Sequence, residues 1–220
     1  MTLALLFINV ANGLVHGVDS SSEVSQDIFT KAKEEGFTKA ILRGYQEACS
    51  QGGRVDPTFL PTYKSARAAG ITSIDTYFFP CTGSGNKCKS FDVQVGEIVG
   101  SIKANNMDIG TIWVDIEADN VCNGWNYGAA DNLKKAQDLI NAIKATKYKY
   151  GIYSSPGEWG KIFGSRSVVL DNSAPLWFAT YNNDQTLALP TPFGGWTTAT
   201  GHQYTDMSAS RKFNLNVFAY

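Results

Sequence analysis

The strongest constraint on this chain is an alternation of short apolar runs with helical stripes, met five times in succession. Runs rich in β-branched and aromatic residues occupy 14–19, 37–45, 71–79, 110–119 and 148–154. Between them, apolar residues recur at helical spacing. Val24, Ile28 and Ala32 make one stripe, stopped by Gly36, and 58–69 makes another, stopped by Gly70. Phe91, Val95, Ile98 and Ile102 make a third, Leu133, Ala136, Ile140 and Ile143 a fourth, and 156–163 a short fifth. That periodicity switch predicts strand–helix units, hence a parallel sheet with right-handed crossovers. Beyond the fifth helix only strands are expected, at 175–181, 195–196, 202–204 and 213–218. No linker or internal repeat divides the 220 residues. The prediction is a single α/β domain, a barrel incomplete in its last helices.

In such barrels the reactive groups collect at the carboxyl ends of the strands. Here those ends offer Asp19, Tyr45, Asp75 with Tyr77, Asp115 with Glu117, Ser154, Tyr181, and Gln203 with Tyr204. The run 110–119 carries the sharpest signal. Strand side chains alternate, so Trp113, Asp115 and Glu117 share one face, and Ile112, Val114 and Ile116 fill the other. Same-face neighbours lie ~6.6 Å apart. Burying ionised acids without partners is costly, so acids near the ends of three strands point to work at one mouth. Two carboxyls in different environments suit glycosidic cleavage, one protonated to supply the leaving oxygen and one ionised to stabilise the cation. The aromatic share of 12% offers flat surfaces for sugar rings, although core packing uses aromatics equally well.

Other chemistries fit less well. The net charge of -1 and the absence of a basic run argue against a nucleic-acid partner. No Gly-x-Ser-x-Gly elbow surrounds Ser154, and the loop at Gly83 to Gly85 lacks a phosphate-binding pattern. His16 and His202 are the only histidines, and no cysteine pair has metal-ligand spacing. Asp19, Asp75, Asp115 and Glu117 could hold a cation, but the glycosidase reading employs the same acids with no metal and no cofactor. Residues 1–13 contain an uncharged apolar run too short to span a bilayer, read as a signal peptide ahead of a domain at 14–220. Nothing else is apolar enough for a membrane. Four cysteines agree with an oxidising destination. Cys81 and Cys88 bracket a flexible loop that a disulfide closes easily, leaving Cys49 with Cys122. Three connectivities are formally open.

Several segments together resemble the lysozymes of glycoside hydrolase family 25, the Chalaropsis-type muramidases. They are Gly17 to Ser22, Trp113 to Glu117, Gly151 to Ser155, Pro175 to Tyr181 and Gln203-Tyr204, with Phe79-Pro80-Cys81 resembling a subgroup of simple eukaryotes. The resemblance implies a flattened, TIM-like (β/α)5(β)3 barrel acting on the β-1,4 bond after N-acetylmuramic acid in bacterial peptidoglycan. It implies Glu117 as general acid and Asp115 as the neighbour that stabilises the transition state while the substrate's acetamido group attacks. It implies Asp19 as the first-strand acid, with Asp75, Tyr77, Tyr181, Gln203 and Asn214 as sugar contacts. One departure stands out: Asn214 occupies a position where the family usually has an acid. Asp206, soon after Gln203-Tyr204, is the candidate to replace that charge in space. The departure leaves open a carbohydrate-binding or immune-modulating protein on the same scaffold, and a chitinase-like hydrolase is the nearer enzymatic rival. The expected protein is a monomer, secreted or phagosomal/lysosomal, antibacterial or digestive. The sequence pI of ≈ 6.1 makes it more cationic as pH falls, which favours anionic walls and mildly acidic conditions.

Overall fold

A computed structural model describes residues 13–206 and 212–220. The expected signal peptide lies almost wholly outside the described residues. Five strand–helix units come first: β1 Leu14–Ser20 with α1 Gln26–Glu34, then β2 Lys39–Gln46 with α2 Phe59–Ala68. A two-residue strand, β3 Arg54–Val55, interrupts the second unit and pairs only with the end of β2. β4 Ser73–Phe78 leads to α3 Phe91–Ala104, β5 Ile112–Asp115 to α4 Ala129–Ala145, and β6 Tyr150–Ser154 to α5 Pro156–Phe163. β7 Leu176–Ala179, β8 Gly201–Thr205 and β9 Asn214–Ala219 follow, with no helix between them among the described residues. The order β1-β9-β8-β7-β6-β5-β4-β2, closed by pairing of β1 with β2, makes an eight-stranded barrel with β3 as an external flap. This is the (β/α)5(β)3 arrangement. The expected strand at 195–196 is instead one side of a tight turn, with a single bridge between Phe193 and Trp196. Gly194 and Gly195 both take positive φ there, which an extended strand forbids.

Seven barrel strands run parallel, and β9 runs antiparallel to both β1 and β8. β9 therefore begins at the carboxyl ends of its neighbours and descends between them. Outward-facing side chains such as Ile112, Val114, Ile116 and Ile152 pack under the helices in the main core. The inside is filled by a separate small cluster: Ile41, Trp113, Tyr153, Trp177 and Phe218. Such bulk fits because glycines lie opposite it. Gly151 is the register partner of Trp113, and Gly201 of Trp177. A Cβ on Gly151 would come within 2.4 Å of the Trp113 ring. The aromatic plug leaves only the upper, carboxyl end of the barrel open for chemistry.

Candidate active site

Above the plug, Asp19, Tyr77, Asp115, Glu117, Tyr153, Trp177, Tyr181, Gln203 and Asn214 line one cavity of about 130 Å³. A second hollow of about 240 Å³ adjoins it through Glu117, Tyr153 and Tyr181, and adds Ser155, Glu158 and Thr180. On the opposite side Asp19 and Asn214 also border a hollow of about 320 Å³ with Ser20, Ser21, Ser22 and Lys212. The three together form a groove with the acids at its middle. Seven of the eight residues that the resemblance brings to the site therefore meet in one place. Asp75 is the exception. It sits two residues below Tyr77 on β4, accepts from Trp113 Nε1 at 2.9 Å and from Thr111 N at 3.0 Å, and pairs with Lys39 at 2.6 Å. It orients the aromatic plug and does not line the groove.

Asp19 ends the inward face of β1 and is 4% exposed. Its Oδ1 accepts from Gln203 Nε2 at 2.8 Å and Asn216 Nδ2 at 2.8 Å, and its Oδ2 from Asn214 Nδ2 at 3.0 Å. Burial raises its ionisation range, and these three donors pull it back. Gln203 is itself fixed from behind, because the hydroxyls of Tyr153 and Tyr181 both donate to its Oε1 at 2.9 Å. Asn216 accepts from Trp177 Nε1 at 2.9 Å. The downward run of β9 brings these two asparagines here, since its first residues face the end of β1 in the pair Asp19 with Asn214.

Asp115 is 5% exposed and shares the cavity with Asp19 and Glu117. Burial pushes its carboxyl well above the ordinary range, and the charges of Glu117 and Asp19 push the same way. Its Oδ1 is buried with no hydrogen-bond partner among the described residues. An unpaired buried carboxyl oxygen is costly, and such groups are kept where function uses them. Glu117 lies just beyond β5, where Ile116 N donates to Tyr153 O at 2.9 Å and Ser154 Oγ donates to Ile116 O at 2.7 Å. Burial, then the neighbouring Glu158, raises Glu117 to about 7. Further on, Asp119 accepts from the backbone of Val121 at 2.6 Å and Cys122 at 2.7 Å. Glu47 faces it, held protonated to about 8 by burial and by Asp119. The disulfide Cys49–Cys122 joins those two loops, and Cys81–Cys88 closes the neighbouring one, so both expected bridges are present.

Two other expectations, for Tyr45 and Asp206, resolve differently. Tyr45 does not reach the mouth; a bulge after Arg43 turns it toward the helices, where it stacks on Phe78 and donates to Glu97 at 2.6 Å. His202 is structural, stacked on Phe178 with its ring nitrogens 2.8 and 3.0 Å from backbone carbonyls. Asp206 is exposed and is not among the lining residues. Glu47, Asp119 and Cys122 are grouped as metal ligands might be, but the Cys122 sulfur is committed to a disulfide. Sequence reasoning passed over Tyr153, Trp177, Glu158 and Asn216. Their shared signal is phase: each is an inward residue beside one already chosen, or begins the element that follows.

The barrel, with its acids at the carboxyl end, is of the kind muramidases have. The structure of a muramidase from Trichobolus zukalii superposes with a TM-score of 0.68, covering 93% of each chain at 20% identity. In sequence, Lysozyme-like protein 5 of Caenorhabditis elegans is 35% identical over 92% of this chain and 89% of its own length. Probable GH family 25 lysozyme 2 of Dictyostelium discoideum is 32% identical over 92% and 90%. A family model described as Lysozyme-like protein 1 matches residues 11–204. The chain belongs to the lysozymes of glycoside hydrolase family 25.

Proposed function

We propose that this protein is a lysozyme, hydrolysing the β-1,4 bond between N-acetylmuramic acid and N-acetylglucosamine in bacterial peptidoglycan. The observation that carries the reading is the pairing, in one cavity, of a Glu117 raised to about 7 with an Asp115 whose Oδ1 lacks a partner. Two close buried carboxyls hold protons as a pair. An acetamido N–H donating to the Asp115 carboxyl stabilises the ionised form there, and leaves the shared proton on Glu117. Glu117 gives it to the glycosidic oxygen as the C1–O bond breaks. The acetamido carbonyl oxygen of the same sugar closes onto C1, with Asp115 balancing the positive charge. Water then attacks C1 and returns its proton to Glu117. Such substrate assistance replaces the protein nucleophile of the usual two-carboxylate scheme. Tyr77, Tyr181 and Gln203 supply the ring and hydroxyl contacts.

The deciding experiment is clearing of bacterial wall suspensions by wild type and Glu117→Gln. The variant should clear them roughly a hundredfold or more slowly, the scale of a lost general acid. Equal rates would end the enzymatic reading in favour of a binding protein. Product analysis on chitin oligomers beside peptidoglycan separates a chitinase. The apolar segment at 1–13 and the two disulfides support export to a secreted, phagosomal or lysosomal setting, where a monomer would serve defence or digestion.

A further inference from the structure

The turn from β6 into α5 does more than connect them. Ser155 caps α5, its Oγ accepting from Glu158 N at 3.1 Å, and Pro156 opens the helix. This places the Glu158 side chain over the segment that leaves β5, where its Oε2 accepts from Ala118 N at 2.9 Å. Ala118 directly follows Glu117. The same turn holds the residue before it, through Ser154 Oγ on Ile116 O at 2.7 Å. Glu117 is thus bracketed on both sides from one neighbouring turn. Glu158 also lines the same hollow as Glu117, and fully buried Trp159 anchors the helix that presents it.

We propose that Glu158 is a positioning residue for Glu117, pinning the backbone just past the acid and presenting a fixed negative charge to it. This rests on the lysozyme reading above. The groups facing Glu117 are Glu158 and Lys161 from α5, Asp115 and Asp119 from its own segment, Asp19 from β1, Tyr153 from β6 and Tyr181 just past β7. After burial, Glu158 has the largest effect in keeping Glu117 protonated, while Lys161, 4.0 Å from Glu158, opposes it. A negative neighbour serves both halves of the reaction: it helps Glu117 retain a proton at the start, and makes the ionised Glu117 a better base toward water afterwards.

The test compares pH–rate profiles of wall clearing for wild type, Glu158→Gln, Glu158→Ala and Lys161→Met, alongside carbon NMR titration of the Glu117 carboxyl. Glu158→Gln keeps an acceptor for Ala118 but loses the charge. Its basic limb and its Glu117 titration should move to lower pH by on the order of half a unit, with thermal unfolding unchanged. Lys161→Met should move both to higher pH, which keeps the charge argument testable if a Glu158 variant folds poorly. Glu158→Ala should also lose roughly tenfold in rate at its optimum, through misplacement of the acid. Profiles and titrations that superimpose on wild type would overturn the assignment. If wild type fails to clear walls, the lysozyme reading falls, and the titration still decides whether Glu158 controls Glu117.

Discussion

Asn214 is where this chain departs from the acid usual at that position in the resemblance, and the geometry explains how it is accommodated. Its amide donates to Asp19 Oδ2 at 3.0 Å, a bond an ionised carboxyl cannot make. Asp19, Asp115 and Glu117 already crowd the cavity, and a further negative charge would have to carry a proton to stay. Asn214 supplies the hydrogen bond without the charge. We expect Asn214→Asp to keep wall clearing at pH 5 within about threefold, and to move the basic limb to higher pH by on the order of half a unit. A profile identical to wild type would show that position 214 does not communicate with the cluster.

Among the elements, β6 shows most plainly how the barrel and site share one scaffold. Gly151 leaves room for Trp113, whose Nε1 is held by Asp75, and two residues higher Tyr153 donates to Gln203. A methyl at 151 would meet Trp113 at 2.4 Å and Pro175 O at 2.9 Å. Gly151→Ala should therefore cost roughly 1–3 kcal/mol by overpacking, read from urea unfolding, with clearing activity reduced more than stability alone explains. An unchanged midpoint would refute the packing account. The same strand marks what was legible in the sequence. Periodicity reveals β6 and its helix, but the last polar residue, Ser154, faces the helices, and Tyr153 is the one that looks inward. Choosing the neighbour flips the face. Likewise Asp75 reads as a strand-end acid until the register places it a layer below Tyr77. The acids of β5 were legible because their alternation needs no partner strand. Asn216 and Glu158 were not, since their roles arise from strand pairing and from a helix start.

For the molecule as a whole, shifted carboxyls set opposing pH limits on stability. Glu117, raised from 4.5 to about 7, and Glu47, raised from 4.5 to about 8, keep protons in the fold that the unfolded chain has lost. Their contribution is complete below the unfolded value and disappears as pH rises through 7 to 8. Asp171, whose carboxyl is held low by Lys144, Ser173 and Tyr150, works the other way, as do Glu97 and Asp119. Their contribution is present above the unfolded value of about 4 and is lost as pH falls through their lowered range. The melting temperature should peak at about pH 4 to 5 and decline from there toward pH 8.5, with Glu117→Gln flattening part of that decline. A scanning calorimetry series flat across that range would contradict it. One consequence follows from the downward course of β9. Two of the three donors that steady Asp19 belong to that strand, 195 and 197 residues farther along the chain. During synthesis, which proceeds at about 5–20 residues per second from the amino terminus, the first acid is made long before the two asparagines that steady it. The wall-cutting centre is therefore completed last, and a released chain truncated before β9 should carry Glu117 yet cut nothing.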